Sequence, residues 1–216
     1  MFLEHNVYQP LGNRVDRFHD AVGNSACGVP LVLVDSGARF TCGNVDFEAV
    51  YPELVRQAMA LPPLADIEAV YARDGNNVDV DVALTNRTGI TLGYANWTTV
   101  NVMVYELARV VQTSRMVRAA AYSELPGDLP DGQTARTSVR LEDVPVTNWA
   151  RAHVIVLADY RPEPMQARFW SLQASVAREA VSTATPTASA TPAVTATPAP
   201  TFPPGSPRVF LPLALR

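Results

Sequence analysis

The sequence predicts an α+β fold followed by a disordered tail. Three observations carry that prediction. Apolar residues recur at helical spacing in two segments before residue 62, Leu11 to Val22 and Val45 to Leu61. After Pro62-Pro63 the period falls to 2, with short strands separated by turn residues as far as about residue 180. From Ser182 to Pro207 the chain is a Thr/Ala/Pro tract. Repeated prolines remove backbone donors and fix φ there, and Thr, Ser and Ala bury too little surface to offset the entropy of ordering.

The elements follow in order. Phe2 to Tyr8 reads as a short strand, and Leu11 to Val22 as a helix with Val15, Phe18 and Val22 on one side. Gly23-Asn-Ser25 ends it with turn chemistry. Leu31 to Val34 is a continuous apolar run, as in a strand covered on both faces. Ser36-Gly37 turns the chain into a partner strand, Arg39 to Cys42. Asn44 is placed to cap a helix over Val45 to Leu61, whose apolar side is Phe47, Val50, Leu54, Val55, Ala58 and Leu61. Pro52 should kink that helix or mark its start.

Beyond Pro63, Ala65 to Tyr71 and Val78 to Leu84 alternate about Asp74-Gly-Asn-Asn77, a strong hairpin signal. Thr98 to Leu107, Val110 to Tyr122 and Gln133 to Leu141 are further strands, the last two separated by the turn-rich loop Pro126 to Gly132. Trp149 precedes the apolar run Val154 to Ala158. Arg161-Pro-Glu-Pro164 then leads into Met165 to Leu172. A helical stripe of Met165, Phe169, Leu172 and Val176 competes for 164–181, and the strand is preferred because a sandwich needs a closing strand. About seven short strands over roughly 110 residues fit an immunoglobulin-like β-sandwich. The division expected is 1–62, 63–180, a disordered linker over 181–207 and an apolar C-terminal tag over 208–216.

Bulk chemistry narrows the function. All 17 basic residues are Arg, the net charge is −4 and the pI near 5.4, which argues against nucleic-acid binding. No run approaches 18 apolar residues, so no spanning helix is expected. His5, His19 and His153 lack ligand spacing, and neither a metal nor a cofactor is expected. Asp74, Asn76, Asp79 and Asp81 miss the spacing of a calcium loop and read as a turn followed by a wet strand face. Asn86-Arg-Thr88 and Asn96-Trp-Thr98 match glycosylation acceptors and are taken as chance matches. Trp97, Trp149 and Trp170 fit either a ligand platform or packing. No catalytic set stands out.

Val29-Pro30 before an apolar strand, then a hairpin and an amphipathic helix, resembles the C-terminal half of a thioredoxin fold. Val102-Met-Val-Tyr-Glu106, Arg115-Met-Val-Arg118, Asp131-Gly132, the Trp149 region and Val154 to Ala167 resemble the C-terminal domain of the thioredoxin-like outer-membrane lipoprotein family. The resemblance runs over residues 1 to 175. It implies a cis bond at Val29-Pro30. It also implies a redox CxxC upstream, which this sequence lacks, so the chain reads as N-terminally truncated and redox-silent. The terminus Arg208-Val-Phe-Leu-Pro-Leu-Ala-Leu-Arg216, after its Thr/Pro spacer, is similar to the ends of exported proteins of filamentous green non-sulfur bacteria.

Cys27 and Cys42 flank the first hairpin. A bridge would close a loop of about 15 residues and contribute about 3 kcal/mol in the chain-entropy model, while two buried free thiols are the other reading. The function expected is an extracytoplasmic, surface-associated binding or structural module without catalysis. Its partners would be other exported or surface proteins, with envelope association through the tail. The alternative is a fragment of a thiol–disulfide oxidoreductase whose CxxC lies upstream of Met1.

Overall fold

The computed structural model describes residues 17, 19–21, 23, 31–43, 45–109, 113–163 and 168–180. Met1–Val181 forms one compact unit, and the second segment, Ser182–Arg216, lies outside the described residues. The elements with described bounds are β1 Leu31–Val34, β2 Arg39–Cys42, α1 Phe47–Met59, β3 Ala65–Asp74, β4 Asn77–Asn86, β5 Thr99–Arg109, β6 Thr113–Glu124, β7 Thr134–Leu141, β8 Ala152–Tyr160, β9 Trp170–Val176 and β10 Arg178–Glu179.

The body is a pair of four-stranded sheets, ordered β10-β3-β4-β7 and β6-β5-β8-β9. Between them lies one core. Val78, Val80, Val82 and Leu84 of β4 meet Val100, Val102 and Val104 of β5, with Val154, Val156 and Ala158 of β8 and Leu172 of β9. Period-2 alternation accounts for the first sheet. Asp79 and Asp81 of β4 face solvent between the buried valines, and Asp74-Gly75-Asn76-Asn77 makes the tight turn with Gly75 at φ +59. The chain passes from the second sheet to the first at Ala177, which is buried and donates its N–H to the Val154 carbonyl.

The second sheet obeys a different rule. Its core-facing valines are buried, and so are Thr99, Asn101, Met103, Tyr105, Ile155 and Asp159, whose positions alternate with them. A strand covered on both faces has no wet side to supply polar alternation. This explains why Val100 to Leu107 and Val154 to Tyr160 are apolar nearly throughout. Tyr105, Val117 and Ile155, with Leu107 and Ala120 beside them, make a second small apolar cluster on that outer face.

The α+β, thioredoxin-like prediction is corrected here: the fold is β-rich. In a thioredoxin fold the hairpin extends a central sheet and the helix packs across it. Among the described residues β1 and β2 pair only with one another as a two-stranded sheet. With no central sheet to cover, α1 buries none of its residues completely. Val50, Leu54, Val55 and Ala58 of the predicted apolar side are half-buried, while Phe47 and Leu61 are exposed.

The N-cap of α1 is Asp46, whose carboxylate accepts from the Ala49 N–H at 3.2 Å; the predicted cap Asn44 lies outside the described residues. Pro52 sits inside the helix rather than at its start. The predicted strand Phe2 to Tyr8 lies outside the described residues, while Arg17 and His19–Ala21 are helical. The closing segment is strand over Trp170–Val176, and the predicted start at Met165 lies outside the described residues. Among the described residues no helix is long and apolar enough to cross a membrane.

Candidate functional site

Two carboxylates lie buried in the sandwich, and each sits at an irregularity in its ladder. Between Ala158↔Gln173 and Asp159↔Ser171 the register skips Leu172. Between Val104↔Ala119 and Tyr105↔Val117 it skips Arg118, one residue before Glu106. Such a bulge re-aims the side chains beside it.

Asp159 is completely buried. Its Oδ2 accepts from Arg17 Nε at 3.1 Å, and its Oδ1 from Arg17 Nη2 at 3.1 Å and from the Thr99 hydroxyl at 2.7 Å. Asn101 Nδ2 donates to Thr99 Oγ1 at 3.1 Å. The two Arg17 bonds form the bidentate fork that suits a planar guanidinium. The Arg17 Cζ also stands 3.2 Å from the centroid of Phe169, itself 1% exposed.

A second arginine continues the series. Arg161 Cζ lies 4.5 Å from the Phe169 centroid and 4.9 Å from that of Trp97, while its Nη2 donates to Asp20 at 3.0 Å. Trp97 in turn stacks near Tyr94, with centroids 6.3 Å apart and planes 17° from parallel. From Asp159 outward the order is carboxylate, cation, ring, cation, ring, ring. It starts in the interior and ends at Tyr94, which is 79% exposed.

The first hairpin docks beside this series. Asp35 and Ser36 adopt left-handed φ values of 58 and 52, unfavourable for residues with a Cβ. Their side chains hold the turn in place. Asp35 Oδ1 accepts from the Ser171 N–H at 2.8 Å, its Oδ2 from Arg39 at 2.6 Å, and Ser36 Oγ lies 3.1 Å from Ser171 Oγ. Gly37 bridges to Phe169, and a Cβ on it would come within 3.0 Å of the Ala21 Cβ and 3.3 Å of the Arg17 carbonyl.

Glu106 is the other buried carboxylate. It accepts from the Thr147 hydroxyl at 2.5 Å, the Asn148 N–H at 2.7 Å, Arg118 Nε at 2.8 Å and the Thr147 N–H at 3.3 Å. Burial pushes its acidity toward the neutral form, and these donors outweigh that push, so its pKa falls below the ordinary value of 4.5. Both carboxylates thus tie loops and layers of the fold together.

Where the sandwich ends at Tyr94, the connection from β4 to β5 is pinned by two buried asparagines. Asn86 Nδ2 donates to the Ile90 and Leu129 carbonyls at 2.7 and 2.8 Å, and its Oδ1 accepts from the Thr88 N–H at 2.9 Å. Asn96 Oδ1 accepts from the Gly93 N–H at 2.9 Å and the Thr98 hydroxyl at 2.7 Å, while its Nδ2 donates to the Thr91 carbonyl. Leu92 and Leu129 exchange backbone bonds, locking this loop to the one between β6 and β7. Both amide nitrogens of the glycosylation-like triplets are thus interior donors and closed to modification in the folded chain.

The remaining sequence-predicted residues fall as follows. Cys27, Val29 and Pro30 lie outside the described residues, and Cys42 ends β2 opposite Leu31. The three tryptophans are not gathered into one platform. Trp97 is 52% exposed at one end, whereas Trp149 lies by the β3–β4 turn at the other, donating Nε1–H to Asn76 at 3.3 Å beneath Arg73. Trp170 pairs across from Tyr160. His153 stacks on Tyr105. Asp79 is bound by Arg140 and Asp81 by Ser138, and no cluster of metal-ligating side chains occurs among the described residues. Sequence reasoning passed over Asp159, Glu106 and Asn101. Their signal was a polar residue interrupting an apolar run, Asn101 and Glu106 in β5 and Asp159 in β8.

No protein-family model matches the chain, and no curated protein matches it in sequence. Distant structural likenesses exist. Spo0M, the sporulation control protein of Bacillus subtilis, is 13% identical at a TM-score of 0.33, covering 55% of this chain and only 50% of that one. A domain of the outer membrane lipoprotein Omp28 from Porphyromonas gingivalis is 12% identical at 0.34, covering 55% and 90%. The E. coli curli protein CsgC is 14% identical at 0.26, covering 51% and 96%. For the expected thioredoxin-like lipoprotein family, the Omp28 domain offers a distant structural likeness at 12% identity and no more.

Two outcomes are expected. Asp159→Ala strands the buried Arg17 charge and should lower unfolding free energy by about 3–5 kcal/mol, whereas Asp159→Leu combined with Arg17→Met should recover most of the loss in chemical denaturation. Glu106 has a folded pKa below its unfolded one. Its contribution is therefore complete above about pH 4.5 and is lost as pH falls through the lower, folded value. Thermal melting between neutral and acid pH should show a shallower acid-side decline in Glu106→Gln than in the parent.

Proposed function

We propose that this chain is an extracytoplasmic, surface-associated binding or structural module rather than a catalyst. One observation carries the reading. The buried carboxylates Asp159 and Glu106 are consumed by structural partners, while a loop fixed by two buried asparagines holds the aromatic rings of Tyr94 and Trp97 out in water. Rigid presentation of exposed aromatic area is the usual economy of a binding surface, because little side-chain entropy remains to be lost on contact.

The extracytoplasmic placement is supported by the Thr/Ala/Pro tract, a semi-extended spacer able to carry a folded body away from a surface. A Cys27–Cys42 bridge belongs to the same reading, since disulfides persist in oxidising compartments. Other exported or surface proteins are the expected partners, with the apolar segment 208–216 serving envelope association.

Mild proteolysis of intact cells of the native host should release peptides from 63–180. Release only after lysis would refute the placement. Alkylation of the denatured, unreduced protein should leave its mass unchanged, and a gain of two adducts would refute the bridge.

A further inference from the structure

The loop between β4 and β5 carries three exposed apolar side chains, Ile90, Tyr94 and Trp97, at 44%, 79% and 52% exposure. The loop packed against it, 125–133, supplies charge of one sign. Asp128 places Oδ1 so close to Gly93 that a Cβ there would meet it at 2.7 Å, immediately before Tyr94 in the chain. Asp131 Oδ1 accepts from the Gly89 N–H at 2.9 Å. The cations nearby are engaged: Arg87 pairs with Asp66 at 2.8 Å and Arg161 with Asp20 at 3.0 Å. The patch is therefore a pair of aromatic rings on a loop flanked by two exposed carboxylates, Asp128 at Gly93 and Asp131 at Gly89.

The interior already displays what such rings accept. Two guanidinium groups contact the Phe169 ring, and Trp97 takes one of them. Tyr94 ends the series, its ring largely open to solvent. We propose that Tyr94 and Trp97, with Asp128 and Asp131, form a docking site for an arginine-bearing peptide segment of a partner protein. A guanidinium is attracted to the electron-rich ring face and to the carboxylates together, and its planar, weakly hydrated form loses less on desolvation than an ammonium. The acidic net charge of −4 steers a basic partner toward the chain in the same sense. A sugar would need a free flat ring without requiring carboxylates beside it, and an acidic peptide would be repelled by them.

This deepens the binding-module reading and rests on it. A silent titration would leave the surface placement standing, and release of peptides only on lysis would leave the titration standing. The test is a 15N-resolved NMR titration of the full chain with acetyl-(Arg-Gly)4-amide at low salt. Saturable shifts should appear at the amides of Gly93, Tyr94, Trp97 and Asp128, with a Kd of about 0.1–1 mM for so small a contact. Tyr94→Ala should weaken binding about fivefold or more, Tyr94→Phe should stay within about twofold because the ring face remains, and Asp128→Asn with Asp131→Asn should weaken it about threefold while flattening its salt dependence. Tyr94 and both aspartates are exposed, so unchanged melting temperatures will accompany these variants. The proposal is overturned if no shift saturates up to about 10 mM peptide. Equal binding by Tyr94→Ala overturns it too, as does saturation of the same amides by cellohexaose or an oligoglutamate instead.

Discussion

The Arg17–Asp159 pair is the constraint on which the layering depends, because the outer side of β8 at Asp159 is covered rather than wet. A carboxylate at the end of β8 would ordinarily point to water on the outer side of a sandwich. Here that side is covered, and Asp159 is completely buried. Leaving it there alone costs several kcal/mol, so the segment carrying Arg17 must stay docked whenever the sheet is formed. The pair is not by itself a large source of stability, since desolvating both ions offsets much of their attraction. Its consequence is specificity. Few arrangements of the N-terminal segment bring a fork-shaped donor to that carboxylate while stacking it on Phe169, and an alternative docking would leave a charge unpaired.

The strained first hairpin follows from that arrangement. Asp35 and Ser36 carry left-handed backbone in a two-stranded hairpin whose half-buried side chains offer little support of their own. They do so where Ser171 of β9 receives both side chains, and where Gly37 fits closely against Ala21 and Phe169. Hairpin, helical fragment and sheet edge converge on Phe169. That ring packs against both guanidinium groups, Arg17 at 3.2 Å and Arg161 at 4.5 Å from its centroid, while each arginine keeps its own carboxylate, Asp159 and Asp20.

Much of the sandwich was legible because half of it is wet. In β4 the valines and aspartates alternate strictly, and the Asp-Gly-Asn-Asn turn fixes the hairpin within a residue. The second sheet was legible only as apolar runs, since burial on both faces erases the alternation that assigns residues to sides. The N-terminal block misled for a related reason. A hairpin followed by an amphipathic helix is a local pattern found in several folds, and only long-range pairing decides which. The absence of any partner for β1–β2 among the described strands is not encoded in either segment. Bulges are equally silent. Nothing local in Arg118 or Leu172 announces the skipped residue that turns Glu106 and Asp159 toward their donors.

The aromatic end of the molecule follows from these interior choices. Trp97 has left-handed backbone at φ 53, an unusual conformation for a bulky side chain, and it is held there by Asn96 on one side and Thr98 on the other. A tryptophan free to relax would fold back and bury its ring. This one is kept half-exposed, with Arg161 at its ring and its backbone fixed, because Arg161 is itself bound to Asp20 and to Phe169. Strain of this kind persists only when its surroundings over-determine it, and it concentrates where a chain keeps a side chain ready for contact. Asp159, Arg17, Phe169, Arg161, Trp97 and Tyr94 thus form one series of contacts that runs from a buried carboxylate to a ring in water.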